Sequence, residues 1–516
     1  MTSSAAETAD VVVVGFGAAG ACAAIEAADA GARVLVLDRF GGGGATAISG
    51  GVVYAGGGTR QQRAAGVADT PREMADYLRE EVGDTVSAGT LRRFCEQSAG
   101  MLDWLAGLGV PFDARLCPYK TSYPTNRHYL YFSGSETAFG QSAPRGHRVL
   151  ARGTSGRVLF ARLADAVRQR GVVVLAQTRA ERLITDAAGR VTGVECRTLA
   201  GWARPVHRVL HRWSVKPGLY LPGLGRALHR PVAWLERRYA RPLRIAAGRT
   251  ILCAGGFVFD RAMMREHAPD YRGGLRLGTP GDDGSGIRLG VAAGGSTAHL
   301  DRVSIWRFLS PPAAMLDGQL VDRDGRKVGD LSRYGAAVGE AILRSPGARA
   351  WLLLDAATLA RARRQLWSQT LWFQRWQALW LLTFGKVTGA TLEDVARRAG
   401  VDPAGLIATA GAATGLPPYA MLDVSVRNRT ALPAPMLTLG GLRVDEETGR
   451  VLGVPGLFAA GRTAVGICSR SYVSGLSLAD CVFSGRRAGR AAAAAVLSGR
   501  PGAAAHDLGG HHADRG

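Results

Sequence analysis

Acidic residues are scarce in this chain: 42 Asp and Glu face 64 Lys and Arg over 516 residues, a formal charge of +22 at pH 7. Such an excess points to nucleic acid or to an anionic membrane surface, and its distribution narrows the choice. Residues 201–250 hold ten Arg, one Lys and one Glu, and residues 361–386 hold four Arg, one Lys and no acid, so two patches carry most of the charge. No RNA- or DNA-binding motif accompanies either patch, and no nucleic-acid partner is expected. Cysteine is sparse too. Its seven copies form no CxxC pair and no metal-ligand spacing, and their number is odd. Reduced thiols in a cytoplasmic protein, without disulfides or a metal centre, are the expectation. No run reaches the ~20 uninterrupted apolar residues of a membrane span, and the apolar start at Val11 lacks the basic flank of a signal peptide.

What is there begins at Val11. Four valines, Val11 to Val14, read as a buried parallel strand, followed at once by Gly15, Gly17 and Gly20 in GxGxxG spacing. An alanine-rich segment from Ala18 and Ala19 to Ala30 suits a helix. A second apolar run, Val34 to Leu37, ends on Asp38, where a carboxylate can bond a ribose hydroxyl, with Arg39 beside it. The glycines give a tight turn, bare backbone for a pyrophosphate, and close packing of helix on strand, and the helix start offers N–H groups to the phosphates. Strand, glycines, helix, strand and acid in this order predict dinucleotide binding.

Residues 41–58 are rich in glycine but interrupted at Thr46, Ser49 and Tyr54, and Gly50 and Gly51 fall inside them. This reads as backbone lying against a cofactor, since only glycine allows so close an approach. Helices are predicted over Pro71 to Val82 and Thr90 to Leu108. Residues 111–148 set Tyr119, Tyr123, Tyr129 and Tyr131 among prolines and glycines, as a pocket wall or as structural loops. A helix is predicted from Ser155 to Gly171, then strands over Val172 to Ala176, Arg182 to Asp186, Val191 to Arg197 and Arg249 to Ala254, the last closed by Gly255 and Gly256.

The first basic patch, 201–248, interleaves Trp202, Trp213, Tyr220, Trp234 and Tyr239 with arginines. Its prolines, at 205, 217, 222, 231 and 242, predict no long helix. It reads as an insertion made for an interface, peripheral membrane contact being one such use, with an arginine-biased composition as the bland alternative. In the second patch Trp372, Trp376, Leu379 and Trp380 share one face of a helix, either core or interfacial. Toward the end, GLFAAG reads as a strand ending on Gly461 and Arg462. A small-residue helix follows from about Ser477 and Leu478, preceded by Tyr472, Ser474 and Gly475, and its start can stabilise negative charge. The tail from about residue 502 is expected to fray.

With both ends in view the sequence resembles the FAD-dependent succinate dehydrogenase and fumarate reductase flavoprotein superfamily. The resemblance rests on VVVVGFGAAG, TILCAGGFVFD, GTPGDDGSGIRLG, TLGGLRVDEETGRVL and GLFAAGRTAVG, and spans nearly the whole chain. Within the superfamily, PYKTSYPT, LYFSGSE, PRGHR and SYVSGLSLAD are similar to the Δ4-(5α) type of 3-ketosteroid dehydrogenases. The resemblance implies an α/β fold, a Rossmann-like FAD-binding domain with an inserted α+β catalytic cap. It implies a 3-ketosteroid desaturated by hydride transfer to FAD N5, and an external electron acceptor. The alternatives are a Δ1-dehydrogenase, a reductase of another enone, and a flavin-containing lipid-binding protein without activity.

The resemblance assigns cofactor contacts to Gly15, Gly17, Ala18, Ala19, Gly20, Asp38, Arg39, Thr46, Ser49, Gly50, Gly51, Ala254, Gly255, Gly256, Gly461, Arg462, Ser477 and Leu478. Relatives that attach FAD covalently have a histidine where this chain has Gly44, which implies non-covalent FAD. Tyr472 is implied to polarise the 3-keto oxygen with help from a backbone N–H. Ser474 is implied to take the proton and Tyr334 to relay it, with Tyr119, Tyr123 and Gly475 in the substrate pocket. Where the family carries Arg-Phe-Val-Asn-Glu before that relay tyrosine, this chain has Arg326, Lys327, Val328, Gly329 and Asp330. The expected domains are FAD-binding over 1–275, with the insertion at about 200–248, the cap over 276–430, and a return to the FAD domain over 431–516.

Overall fold

Val11, Val12 and Val13 have no solvent exposure, because their strand, β1 (Glu7–Val14), runs through the middle of a seven-stranded sheet. The structure, a computed structural model, describes residues 7–140, 143–271, 273–411, 415–428 and 434–498. The tail from about residue 502 lies outside the described residues.

Helix α1 (Ala18–Asp29) and strand β2 (Val34–Asp38) follow the glycines, and β2 pairs parallel to β1 with Val11 opposite Val34. Gly15 has φ +105°, and a Cβ on Gly20 would lie 1.9 Å from the Gly15 carbonyl oxygen. Backbone touches backbone there, so no side chain can yield. Gly20→Ala is expected to lose about 1–3 kcal/mol of stability or more. Thermal melting against Gly41→Ala, whose added Cβ meets nothing within 4 Å, checks this.

Strand β3 (Val173–Ala176) extends the parallel sheet beyond β2. Strands β4 (Thr178–Thr185) and β5 (Val191–Thr198) form an antiparallel hairpin. The basic insertion follows as two helices, α2 (Ala203–Tyr220) and α3 (Pro222–Tyr239). This corrects the expectation that its prolines prevent a long helix. Pro205 falls in the first turn of α2 and Pro222 opens α3, where an N–H has no helical partner to lose; Pro231 sits inside α3 and removes one bond. Tertiary contacts offset that loss, since Glu236 of α3 binds both Arg39 and His207. The predicted helix over Thr90 to Leu108 is also two, Ala88–Glu96 and Ser98–Gly107, meeting at Gln97.

Strand β6 (Arg241–Leu252) then does two jobs. Its first half pairs antiparallel to β5 and its second half parallel to β1. Beyond it, strands at 319–321, 351–354, 419–423 and 386–389 make a separate four-stranded antiparallel sheet. Between its second and third strands in pairing order the chain runs through helices α4 (Ala356–Gln369) and α5 (Trp372–Thr383). Strand Pro435–Thr438 pairs with both 275–276 and 303–305, and β7 (Leu457–Ala459) returns to β6.

The last helix, α6 (Leu476–Leu497), lies on α1. A Cβ on Gly485 would fall 2.4 Å from the Ala19 carbonyl oxygen, and one on Gly489 2.3 Å from that of Ala23. Glycines and alanines on both helices thus let the backbones meet, and Glu26 receives Arg486 and Arg490 at the edge of the contact. This packing brings the start of α6 to the carboxyl end of β1, beside the glycine turn. The described cysteines are all free thiols, and among the described residues no helix is long and apolar enough to cross a membrane.

Candidate active site

A cavity of 1190 Å³ opens at that junction. Small-molecule pockets commonly measure about 300–1,000 Å³, so there is room for an extended cofactor and a second molecule. Gly15, Gly17, Ala18, Ala19, Asp38 and Arg39 border it, as do Thr46, Ser49, Gly50 and Gly51, then Ala254, Gly255, Gly461 and Arg462, and finally Tyr472, Ser474, Gly475, Ser477 and Leu478. Tyr334 and Tyr123 also face it. Three of the residues that the resemblance assigns to the site do not border it. Gly20 is packed on the Gly15 carbonyl, Gly256 abuts Thr438, and Tyr119 turns toward His128.

At the glycine-turn end the Thr46 hydroxyl accepts the Ala18 N–H at 3.0 Å. The Asp38 carboxylate accepts the N–H groups of Phe16, Phe40 and Gly42 at 3.0, 2.8 and 2.9 Å, so it ties the loops together as well as bordering the cavity. Arg39 donates to Glu236 and Asp283. Burial alone would lower its pKa, but these carboxylates raise it, so it stays charged. Residues of α2 and α3 close this end: the His211 ring stacks on Phe40 at 3.8 Å between centroids. Burial depresses His211 to about 3 and His229 to about 4, with neighbouring histidine and arginine charges adding to the effect. Sequence reading missed this contact, although His207 and His211 are spaced for one helix face.

The site fits a flavin dinucleotide. Gly255, at φ +80°, has no space for a side chain, its Cβ falling 2.6 Å from Asp282 Oδ1. Arg462 is buried; one guanidinium nitrogen binds Asp282 and Nη1 has no protein partner, leaving it for an anionic or carbonyl oxygen. Ser477 and Leu478 fall in the first turn of α6, where N–H groups have no intrahelical partner.

At the other end the Tyr472 ring stacks on Trp306 with centroids 5.0 Å apart, and Tyr334 lies 6.1 Å from Tyr472. The Gly475 N–H points to the Tyr472 hydroxyl at 3.4 Å. Ser474 is pinned by its backbone: its N–H donates to Ser133 O, its carbonyl accepts from Ser133 Oγ, both at 3.1 Å, and the Gly475 carbonyl accepts from Tyr54 N at 3.1 Å. That leaves the Ser474 hydroxyl free to face Tyr131, whose hydroxyl lies 3.1 Å away. Burial pushes Tyr472, Tyr334 and Tyr131 upward, and a hydrogen bond with Ser474 offsets part of the rise for the last two. All three are therefore neutral donors at physiological pH. Tyr123 is a wall residue, since its hydroxyl donates to Gly50 O at 2.7 Å. Trp306 and Phe308 had no signal in spacing and reach the site from one loop, after the strand at 303–305, while Tyr131, one of the candidate wall tyrosines, reaches Ser474 from the strand Leu130–Tyr131.

Asp480 lies on α6 behind this end, 4% exposed, and burial raises it to about 6 against the pull of Arg487 and two backbone N–H groups. Its folded pKa exceeds the unfolded value of about 3.9. Burial of the charge therefore costs nothing below about pH 4, grows between about pH 4 and 6, and is complete above. Asp480→Asn is expected to be more stable than the parent at pH 8, on the order of 3 kcal/mol, and equal to it at pH 4. Paired melts across this range test it; a flat difference contradicts it.

A glycine turn at the carboxyl end of a central parallel strand, with a helix start and tyrosine hydroxyls at the far end of one cavity, defines a flavin-dependent oxidoreductase. The chain belongs to the FAD binding domain family, whose model matches residues 10–475. It is 35% identical over 499 residues to the 3-oxo-5-alpha-steroid 4-dehydrogenase of Comamonas testosteroni, covering 88% of this chain and 92% of that one. The crystal structure of 3-ketosteroid-Δ4-(5α)-dehydrogenase from Rhodococcus jostii RHA1, in complex with 4-androstene-3,17-dione, matches with a TM-score of 0.77 and 28% identity over 95% of this chain and 98% of that one. The 3-ketosteroid Δ1-dehydrogenase of Sterolibacterium denitrificans, at 19% identity and a TM-score of 0.62 over 95% and 100%, shares the fold. The expected α/β flavoprotein fold and FAD cofactor are thereby borne out.

Proposed function

We propose that this chain is a 3-ketosteroid dehydrogenase that introduces the 4,5 double bond into 5α-3-ketosteroids. The observation that carries the reading is the Ser474 hydroxyl, two residues beyond Tyr472 and 3.1 Å from Tyr131, in a chain 35% identical to a steroid 4-dehydrogenase. Tyr472, a neutral donor stacked on Trp306, hydrogen-bonds the 3-keto oxygen, and the Gly475 N–H supports it. Both interactions strengthen as the oxygen gains enolate character. Ser474 takes the proton from the adjacent carbon as its own hydroxyl proton passes to Tyr334 or Tyr131, and that neutral tyrosine releases its phenolic proton in turn toward solvent. FAD, when bound, supplies the acceptor for the hydride at its N5. Gly15, Gly17, Thr46, Gly255, Arg462, Ser477 and Leu478 hold that cofactor, without a covalent link at Gly44. Trp306, Phe308 and Tyr123 wall the steroid, and residues 276–430 serve as the catalytic cap. An external acceptor takes the electrons, and the protein works at a membrane surface.

The test is an anaerobic visible spectrum of the purified protein before and after a 5α-saturated 3-ketosteroid, with a Δ4-3-ketosteroid in parallel. Bleaching by the saturated compound alone supports the proposal. Bleaching by the Δ4 compound moves the new bond to ring position 1, and bleaching by neither removes the steroid.

A further inference from the structure

Tryptophan is highly buried on average, yet seven of the ten here are exposed: Trp202, Trp213, Trp234, Trp367, Trp372, Trp376 and Trp380. All seven fall within or next to two helical hairpins, α2–α3 and α4–α5, and both hairpins border the cavity described above. On α5 the division is sharp. Phe373, Gln374, Gln377 and Leu381 face the cavity, while Trp372, Trp376 and Trp380, 71, 68 and 53% exposed, share the adjacent face. That stripe is not core.

The charge matches the aromatics. Residues 356–383 hold four arginines and no acid, and Arg375 covers the Trp367 ring at 4.6 Å. Residues 203–239 hold seven arginines and one lysine against a single acid, Glu236, and that carboxylate is turned inward onto Arg39 and His207. The outward faces of both hairpins are therefore basic and aromatic, the composition of helices that lie in a headgroup layer. Apolar patches this extended are uncommon on proteins that remain free in water.

We propose that α2–α3 and α4–α5 together dock this protein on an anionic phospholipid bilayer, and that the ketone enters the cavity from lipid along α5. The docking half stands on exposure and charge. The loading half rests on the ketosteroid reading. It gives the cavity a supply of a substrate too apolar to be abundant in water.

The experiment floats the FAD-loaded enzyme with vesicles of phosphatidylcholine and phosphatidylglycerol in equal parts, and with pure phosphatidylcholine, at physiological and at high salt. The expected result is capture by the anionic vesicles, weakened by salt. The triple variant Trp372→Ser, Trp376→Ser, Trp380→Ser is expected to be captured about tenfold less or weaker still, as is Arg363→Glu with Arg364→Glu, which keeps the aromatic face. Turnover of ketone delivered in cyclodextrin stays unchanged in both variants, whereas turnover of vesicle-dissolved ketone falls with binding. An enzyme that ignores anionic vesicles overturns docking, as does a concentration-dependent dimer that shields these tryptophans. Equal vesicle turnover despite lost binding overturns loading. Absence of turnover in cyclodextrin removes the steroid reading while flotation still decides docking.

Discussion

Ser474→Ala is expected to lower kcat on a 5α-3-ketosteroid by about 10²–10⁴-fold, the range for loss of a positioned proton acceptor, with FAD content unchanged. The turn does not depend on the hydroxyl, because Ser133 holds Ser474 through both its N–H and its carbonyl. A serine in isolation is a poor base. Here its proton can move to Tyr131, 3.1 Å away, or to Tyr334, as that tyrosine, neutral because burial raises it, gives up its own phenolic proton in the same relay. Abstraction therefore proceeds only as fast as the ketone oxygen is polarised, which couples Ser474 to Tyr472. Stopped-flow reduction of bound flavin reads the step directly. A variant that reduces flavin at the parent rate assigns the proton to another group.

Tyr472→Phe is expected to cost about 10²–10³ in kcat, or about 3–4 kcal/mol, as removal of one preorganised donor does elsewhere. The ring stack on Trp306, at 5.0 Å and 25°, survives the loss of the hydroxyl, so the melting temperature should hardly move. Substrate affinity should fall far less than kcat, since the hydrogen bond tightens chiefly as charge develops on the oxygen. Combining this change with Ser474→Ala should give much less than the product of the two losses, because the residues act as a unit. Full multiplication would place them in independent steps.

The dinucleotide turn was legible because all its determinants are local. Val11 to Val14, the three glycines and Asp38 lie within one strand–helix–strand unit, and Gly15 and Gly20 answer steric demands across one strand or within a few residues. The insertion was legible as charge and aromatics but not as structure. Pro205 and Pro222 sit in first turns, where no helical bond is lost, and α3, with Pro231 in its interior, is held by an ion pair whose partner, Arg39, is 197 residues away.

By itself, then, the sequence determined the FAD-binding unit, the family resemblance and the residues at the head of the last helix, since strand period, glycine spacing and motif order are properties of short segments. Only the tertiary structure decided that Tyr131 meets Ser474 across 343 residues, that Trp306 stacks on Tyr472, and that Tyr119 faces away from the cavity. It also decided that the α5 tryptophans lie outside the core. An apolar helical face looks the same in sequence whether a neighbouring element or solvent covers it, and which of these it meets depends on how distant segments pack.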